Sequence, residues 1–478
     1  MITAKIQNRL CLYFCWTVVI FLVLLTRHNS FFWDTVQLAS KHANYYYSTH
    51  FSSLLLPTDM DSGHIPAFGI YIALLWQLFE RSLEVSHLGM LPFALGIVWQ
   101  AFKLCRKFIP EEFVGLALIL LVADPSLLSQ MTLVSPDVCL VFFFLWGMNA
   151  VFENNKLALA FAVFLLFLTS MRGMMVSVCL LGLDLYLNVE WKKTIGKTLS
   201  CLFKRSLIYL PALLLFAAFS SFHYSETGWI GFHKESPWAE SFERIDNINN
   251  LLFNLGLYGW RLLDFGRFGG WIICLILFAI HGKQLVKSKK IVLLLFFSLG
   301  IMMLLPMNMI WAKNLMGHRY LIPIYLTFSL LVASMLFSSF VENKFKFFAF
   351  LFWAICLIGG NFLVYPDKIA KGWDSTLAHL PYYNLRHQAI AFLDNENIDS
   401  QEVQSFFPNL ASINLIDLNG DERRFTFYNG KGKYVFYSNV FNVTDLEYDE
   451  IHDQRNYECI RKFESDQVFI HIFKKVTP

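Results

Sequence analysis

Apolar residues in this chain gather in long runs separated by short polar loops, and most of the runs approach the length needed to cross a bilayer. Read as helices, they fall at 10–26, 88–104, 113–131, 138–152, 157–169, 173–187, 206–222, 269–281, 290–310, 319–338 and 347–364. A hydrocarbon core of about 30 Å calls for about 20 apolar residues per helix. The pattern therefore predicts an all-α polytopic membrane protein with about eleven transmembrane helices. One further run, Pro66–Phe79, is too short to cross and reads as a helix lying in the interface or re-entering. After residue 364 the pattern changes. Charges return, and Arg424–Tyr428, Lys433–Tyr437 and Gln467–Phe473 alternate as strands, with Leu385–Leu393 helical and Asn429-Gly430 a turn. The expected organisation is a membrane domain over 1–364 and a small α+β domain over 365–478, with no internal repeat.

Composition agrees. Of 478 residues, 56% are hydrophobic and 16% charged, against roughly 25% charged in soluble domains, and mean hydropathy is +0.47. The net charge of +3 is small, and no long basic run points to nucleic acid. The nine cysteines are scattered, without a CxxC pair, so neither a metal site nor a disulfide framework is implied. The first apolar stretch is long and lacks a small-residue cleavage site after it, which argues against a cleaved signal.

Lysine and arginine set the predicted orientation. Lys5 and Arg9 precede the first span, and Lys103, Arg106 and Lys107 follow the second. The 188–205 loop holds Lys192, Lys193, Lys197, Lys204 and Arg205 against Glu190. The 282–290 loop holds Lys283, Lys287, Lys289 and Lys290, and Lys344 and Lys346 precede the last span. With Pro66–Phe79 not crossing, all of these fall on one side, which the positive-inside rule makes cytoplasmic. Residues 27–87, 223–268 and 365–478 are then external, the second anchored by Trp229, Trp238 and Trp260.

Candidate chemistry lies on that external side. Asp34, in Phe31-Phe32-Trp33-Asp34-Thr35, is either a solvated loop acid or a carboxylate planted at the membrane surface to accept a proton or bind a cation. Asp137, in Ser135-Pro136-Asp137, either favours a helix N-terminus or shares a site with Asp34 at the same depth. His64 lies in Asp59-Met60-Asp61-Ser62-Gly63-His64-Ile65-Pro66, where it is structural or pairs with a phosphate. Asp59 and Asp61 are substrate-binding or structural. Arg172 splits the apolar run 157–187, and His318-Arg319 opens the tenth span. Each is a snorkelling or buried cation, or a phosphate ligand. Asp124-Pro125, inside the third span, reads as a kink with a locally satisfied carboxylate.

These residues resemble motifs of the GT-C membrane glycosyltransferases, and of the protein O-mannosyltransferase and lipid A aminoarabinose transferase superfamily with its bacterial relatives. Trp33-Asp34, Gly63-His64-Ile65-Pro66 and Pro136-Asp137 follow the order of that superfamily's first-loop acid, its His-Pro-Pro element before a juxtamembrane helix, and its Leu-Asp pair. Arg172 is similar to the basic residue of a Thr-Lys-Gly turn, and Arg319-Tyr320-Leu321-Ile322-Pro323 to a late Arg-Tyr-Leu-x-Pro element. The likeness covers residues 1–340 and leaves the tail uncovered. Thr35 stands where the family often has a second acid, and Ile65 replaces one proline. The resemblance implies transfer of a sugar from a polyprenyl-phosphate carrier to a glycan, lipid or protein acceptor on the outer face of a bacterial plasma membrane. Asp34 is then the general base of an inverting displacement. His64, Arg172, His318 and Arg319 bind the donor phosphate, and Asp137 orients the acceptor or holds a cation. A divalent cation is an open option, weakened by the loss of the second acid. The rival reading is a transporter or flippase of lipid-linked sugars, which predicts inverted repeats or broken helices with midplane charges. A glycan polymerase or ligase instead predicts a large, late external loop carrying the basic residues.

Overall fold

A computed structural model describes the chain except for residues 1–3, 190, 192, 193, 232, 237, 240–242, 314, 315, 370, 371, 477 and 478. Glu190, Lys192 and Lys193 of the charge count lie outside the described residues. Each predicted run is helical. The helices are α1 (Ala4–Thr26), α2 (His42–Ser48), α3 (Ala67–Leu78), α4 (Leu83–Phe108), α5 (Val114–Val122), α6 (Pro125–Met131), α7 (Pro136–Phe152) and α8 (Lys156–Thr169). Then come α9 (Met171–Asn188), α10 (Ile195–Ser206), α11 (Leu210–Thr227), α12 (Ile248–Leu263), α13 (Phe268–Leu285), α14 (Lys289–Leu304), α15 (Ile322–Leu336) and α16 (Asn343–Gly360).

Taken singly, fewer helices than the eleven predicted spans have the length and apolarity of a full crossing. Among the described residues seven helices are long and apolar enough to span a membrane, and eight if the α5–α6 pair counts as one. Helices α7 and α8 have 17 and 14 residues, and at about 1.5 Å per residue each falls short of a 30 Å core. Helix α9 is diluted by Arg172 and Asp184. The α5–α6 pair bends by 68° because Asp124 leaves the helix and Pro125 restarts it, with the Asp124 carboxylate capping Ser126 N and Leu127 N. Large apolar side chains such as Phe21, Leu275, Phe296 and Phe347 stand exposed on the spanning helices, a surface suited to hydrocarbon rather than water. This is an integral membrane protein. At its centre lies the helix over His318–Leu336, 94% of it buried.

The soluble region carries helices α17 (Tyr382–Asn395) and α18 (Asp445–His452) and a five-stranded sheet in the order β2-β1-β3-β5-β4. Strand β1 (Val403–Ser405) runs parallel to β2 (Thr426–Phe427) and to β3 (Tyr434–Ser438). Strand β5 (Val468–Lys475) pairs antiparallel with β3 and with β4 (Tyr457–Ser465). Helix α17 packs across β4 and β5. The α+β expectation holds. Strand β4 went unpredicted because Glu458, Arg461, Lys462 and Glu464 interrupt its alternation.

The sheet's aromatic core continues into the membrane domain, taking in Phe32 and Leu133. Phe31 N donates to Ile416 O at 2.9 Å. On α6 three buried side chains grip one short segment: Ser129 Oγ and Gln130 Nε2 donate to Asp374 O at 2.9 and 2.7 Å, and Ser126 Oγ donates to Ser375 O at 3.3 Å. The polar face of a seven-residue helix is thus satisfied by backbone carbonyls from the far end of the chain.

Candidate active site

The first-loop acid is set by a tight turn. Thr35 Oγ1 accepts from Phe32 N at 2.8 Å and donates to Phe32 O at 2.7 Å. Trp33 takes the left-handed conformation, φ 53°, an arrangement that costs energy in a bulky residue and persists only where its surroundings impose it. The turn leaves Asp34 at the start of the helical segment that continues into α2, a position that favours negative charge.

Five charged groups from five parts of the chain meet there. Arg319, in the 3-10 turn His318–Leu321 before α15, forms a close ion pair with Asp34 through Nη2. Its Nε lies 3.7 Å from Asp137 Oδ2 and its Nη1 3.4 Å from Asp374 Oδ2. Asp137, in the first turn of α7, forms a second close ion pair with Arg172, which opens α9. Both guanidinium groups lie over the Tyr320 ring, at 4.3 Å for Arg172 and 4.8 Å for Arg319. The packing is possible because Ser135 caps α7 and Ser170 caps α9, so each charged residue emerges in a first helical turn.

A cavity of about 160 Å³ opens beside this cluster, with Asp34, His64, Pro136, Arg172 and Arg319 in its wall. His64 Nδ1 meets Ser62 Oγ at 2.6 Å. Burial holds the imidazole below its ordinary pKa, against the opposing pull of Ser62 and Asp61. The first loop and the start of α7 therefore converge with Arg172 and Arg319. His42, on α2, joins the same wall. Its Nε2 meets Met60 O at 2.8 Å and burial holds it near pKa 4, so it stands neutral.

Other candidates are placed elsewhere. Asp61 is buried outside the cavity, accepting from Gly63 N at 2.7 Å and facing His223 Nε2 at 3.0 Å. It fixes the loop that carries His64. Gly63 has φ +72°, and a Cβ there would come within 2.5 Å of Gly231 O, so only glycine fits. Asp59 is exposed and outside the cavity. His318, next to Arg319 in sequence, turns the other way, with Nε2 2.5 Å from Asp264 Oδ2 and 3.1 Å from Tyr365 Oη. That neighbouring network includes Arg267, which grips Asp124 bidentately at 2.8 and 2.9 Å. The locally satisfied carboxylate expected at Asp124 has this arginine as its partner.

A divalent cation does not fit these donors. Asp34 and Asp137 converge on a guanidinium rather than on each other. Thr35, in the place of a second acid, spends its hydroxyl on Phe32. Among the described residues no three His, Cys, Asp or Glu side chains group closely enough to hold a metal.

Sequence reasoning missed Asp374, Tyr320 and His42. One signal was available for the first: Trp373-Asp374-Ser375 repeats the pattern of Trp33-Asp34-Thr35.

No family model and no curated protein matches the chain. Solved structures do. ArnT from Cupriavidus metallidurans, in a crystal structure bound to undecaprenyl phosphate and in another in the apo state, superposes with TM-scores of 0.52 and 0.51. Each alignment covers 96% of this chain and 97% of that one at 10% sequence identity. The chain has the ArnT fold. At this identity the likeness concerns architecture: a GT-C membrane domain followed by a small α+β domain, over nearly the full length of both chains. It extends the resemblance, which stopped near residue 340, through the tail.

Proposed function

We propose that this protein is a glycosyltransferase that moves a sugar from a polyprenyl-phosphate carrier to a hydroxyl acceptor, with Asp34 as general base. One observation carries the reading: Asp34 shares a cavity wall with His64, Arg172 and Arg319. Binding of undecaprenyl phosphate by ArnT, whose fold this chain shares, supports the choice of donor. The loop charges support an extracytoplasmic site, with the N-terminus in the cytoplasm.

In the reaction, Asp34 accepts the proton of the acceptor hydroxyl and the oxygen bonds to the anomeric carbon from the face opposite the phosphate. The carbon–oxygen bond to phosphate breaks, the electron pair leaves on the phosphate oxygen, and the anomeric configuration inverts. Arg172, Arg319 and His64 stabilise the charge gathering on the leaving polyprenyl phosphate. Arg319 has a second role. At rest it covers Asp34, and an arriving phosphate competes for it, uncovering the base as the donor binds. Asp137, expected to orient the acceptor or hold a cation, instead lies between Arg172 and Arg319 and aligns them.

Asp34→Asn is isosteric and tests the assignment. The expected result is a loss of transfer of about 10²–10⁴-fold, with undecaprenyl phosphate still bound and the protein at its normal level. Transfer at the wild-type rate would remove Asp34 from the base role.

A further inference from the structure

A second cavity, of about 800 Å³, lies between the membrane domain and the C-terminal region and shares Asp34, Met316, Arg319 and Tyr320 with the first. The Asp34–Arg319 pair is thus a partition between two chambers. The second chamber is within the range of small-molecule sites, about 300–1,000 Å³. Its chemistry differs from the first in two respects.

The first is charge. On the donor side Arg172 meets Asp137 through Nη1 alone, which leaves edges of its guanidinium for an incoming anion. On the far side each cation in the wall faces at least one carboxylate, Arg319 three and His318 the Asp264 carboxylate. Arg261 lies 3.7 Å from Asp264, Lys313 2.8 Å from Glu243, and Lys368 forms a close pair with Asp449. Among the described residues, this wall holds no cation without a carboxylate partner. The second is the surface. Trp33, Phe407, Phe427 and Tyr448 offer rings, and the apolar C–H faces of pyranoses stack on such rings. Trp33 Nε1 is a buried donor without a partner.

Asp374 stands in this wall. Its backbone is clamped by Ser129 and Gln130 of α6, so its carboxylate is presented rigidly, with Oδ1 accepting from Ser375 Oγ at 3.2 Å and Oδ2 facing Arg319.

We propose that the second cavity is the acceptor site, that it takes a neutral saccharide, and that Asp374 binds one of its hydroxyls so that a neighbouring hydroxyl faces Asp34. A carboxylate accepts from sugar hydroxyls through two oxygens, and a phosphorylated acceptor would meet the carboxylates of Asp34 and Asp374 in this wall with no unpaired cation to offset them. Burial, reinforced by the like charges of Asp34 and Asp137, raises the Asp374 carboxyl above its ordinary pKa, with Arg319 opposing, so a bound hydroxyl donor is favoured over a second anion.

This inference rests on the donor reading above, and the test separates the two. Full-length protein in detergent is probed by saturation-transfer NMR with maltose and methyl hexopyranosides, and in parallel with glucose 6-phosphate. Undecaprenyl phosphate binding is measured in the same samples. The expected result is binding of at least one neutral saccharide in preference to glucose 6-phosphate. Asp374→Asn should weaken it by about tenfold. So should Phe427→Ala, a change at a side chain 63% exposed that the fold tolerates, and both variants should retain undecaprenyl phosphate. Tighter binding of glucose 6-phosphate, undiminished saccharide binding in both variants, or no saccharide binding by protein that binds undecaprenyl phosphate would each overturn the proposal. Failure of wild-type protein to bind undecaprenyl phosphate would instead overturn the donor reading beneath it.

Discussion

A single guanidinium with carboxylates on three of its edges is an unusual arrangement to bury. Arg319 faces Asp34, Asp137 and Asp374, and of these only Asp34 keeps appreciable exposure, 21% of its side chain. Buried charges persist when they are paired, and removing one partner leaves the others uncompensated, at a cost of about 3–5 kcal/mol. Arg319→Ala is therefore expected to destabilise the protein by that order and to abolish transfer. Arg319→Lys restores the charge without the planar fork, so stability should largely return while transfer stays depressed by about 10- to 100-fold. Thermal unfolding in detergent and a transfer assay on the same samples check this, and an alanine variant as stable as wild type would show the carboxylates to be solvated. At this scale the sequence was legible where a charge sat at the rim of an apolar run, as at Asp34, Asp137, Arg172 and Arg319. It was silent on direction. His318 and Arg319 are adjacent, yet the 3-10 turn that carries them sends one to Asp264 and the other to Asp34, and no spacing rule announces which.

Helix α6 shows what short elements contribute. It is too brief to be stable alone, and its seven residues are all buried. It persists because Asp124 caps it, Arg267 grips Asp124, and its own Ser and Gln side chains hold Asp374 and Ser375. The kink at Asp124-Pro125 could be read from sequence, but a platform whose partner lies more than two hundred residues away could not. The segment it holds continues to His379, whose ring stacks on Phe32 at 5.2 Å, next to the turn that sets Asp34. His379 Nδ1 donates to Thr376 O at 2.7 Å, and burial pulls its pKa down to about 4. In the unfolded chain the same histidine titrates near 6.5. Between these values the unfolded state binds more protons, so the stability contribution is complete above about pH 6.5 and is lost as pH falls towards 4. His42 adds a second term of the same sign. Thermal unfolding measured from pH 7 to pH 4 should show a falling melting temperature, and His379→Gln should make that slope shallower. A slope identical to wild type would mean that this ring is charged, or solvated, in the folded protein.

The molecule as a whole is knit together at the loop between α1 and α4, which argues against a membrane domain with a detachable tail. Ser30 makes a close hydrogen bond to Asp417, and Ser40 another to Leu415 O. Arg81 Nη2 donates to Asn414 Oδ1 at 3.1 Å, and Phe31 N to Ile416 O. The segment that receives these bonds, 413–417, is held in turn by Arg386 of α17, which is buried and donates to Asp417 at 2.6 and 2.9 Å and to Asn409 Oδ1 at 2.9 Å. Burial alone would push the Asp417 carboxyl up, but Arg386 beside it holds it well below the usual carboxylate range. The hydropathy pattern points to a boundary near residue 364. It could not show that the soluble domain supports the loop carrying the proposed base, because that support is made of hydrogen bonds between distant polar residues. The consequence can be tested at Arg386, which lines neither of the two cavities. Arg386→Ala strands a buried carboxylate and should cost about 3–5 kcal/mol. The loss should not stay within the soluble domain. Amide hydrogen exchange should accelerate in residues 30–41 as well as in 409–417, and transfer should fall in proportion as the Asp34 turn loses its anchor. Faster exchange confined to residues 365–478, with the first loop protected as in wild type, would show that the domain only caps the site and that the membrane helices alone hold Asp34 in place.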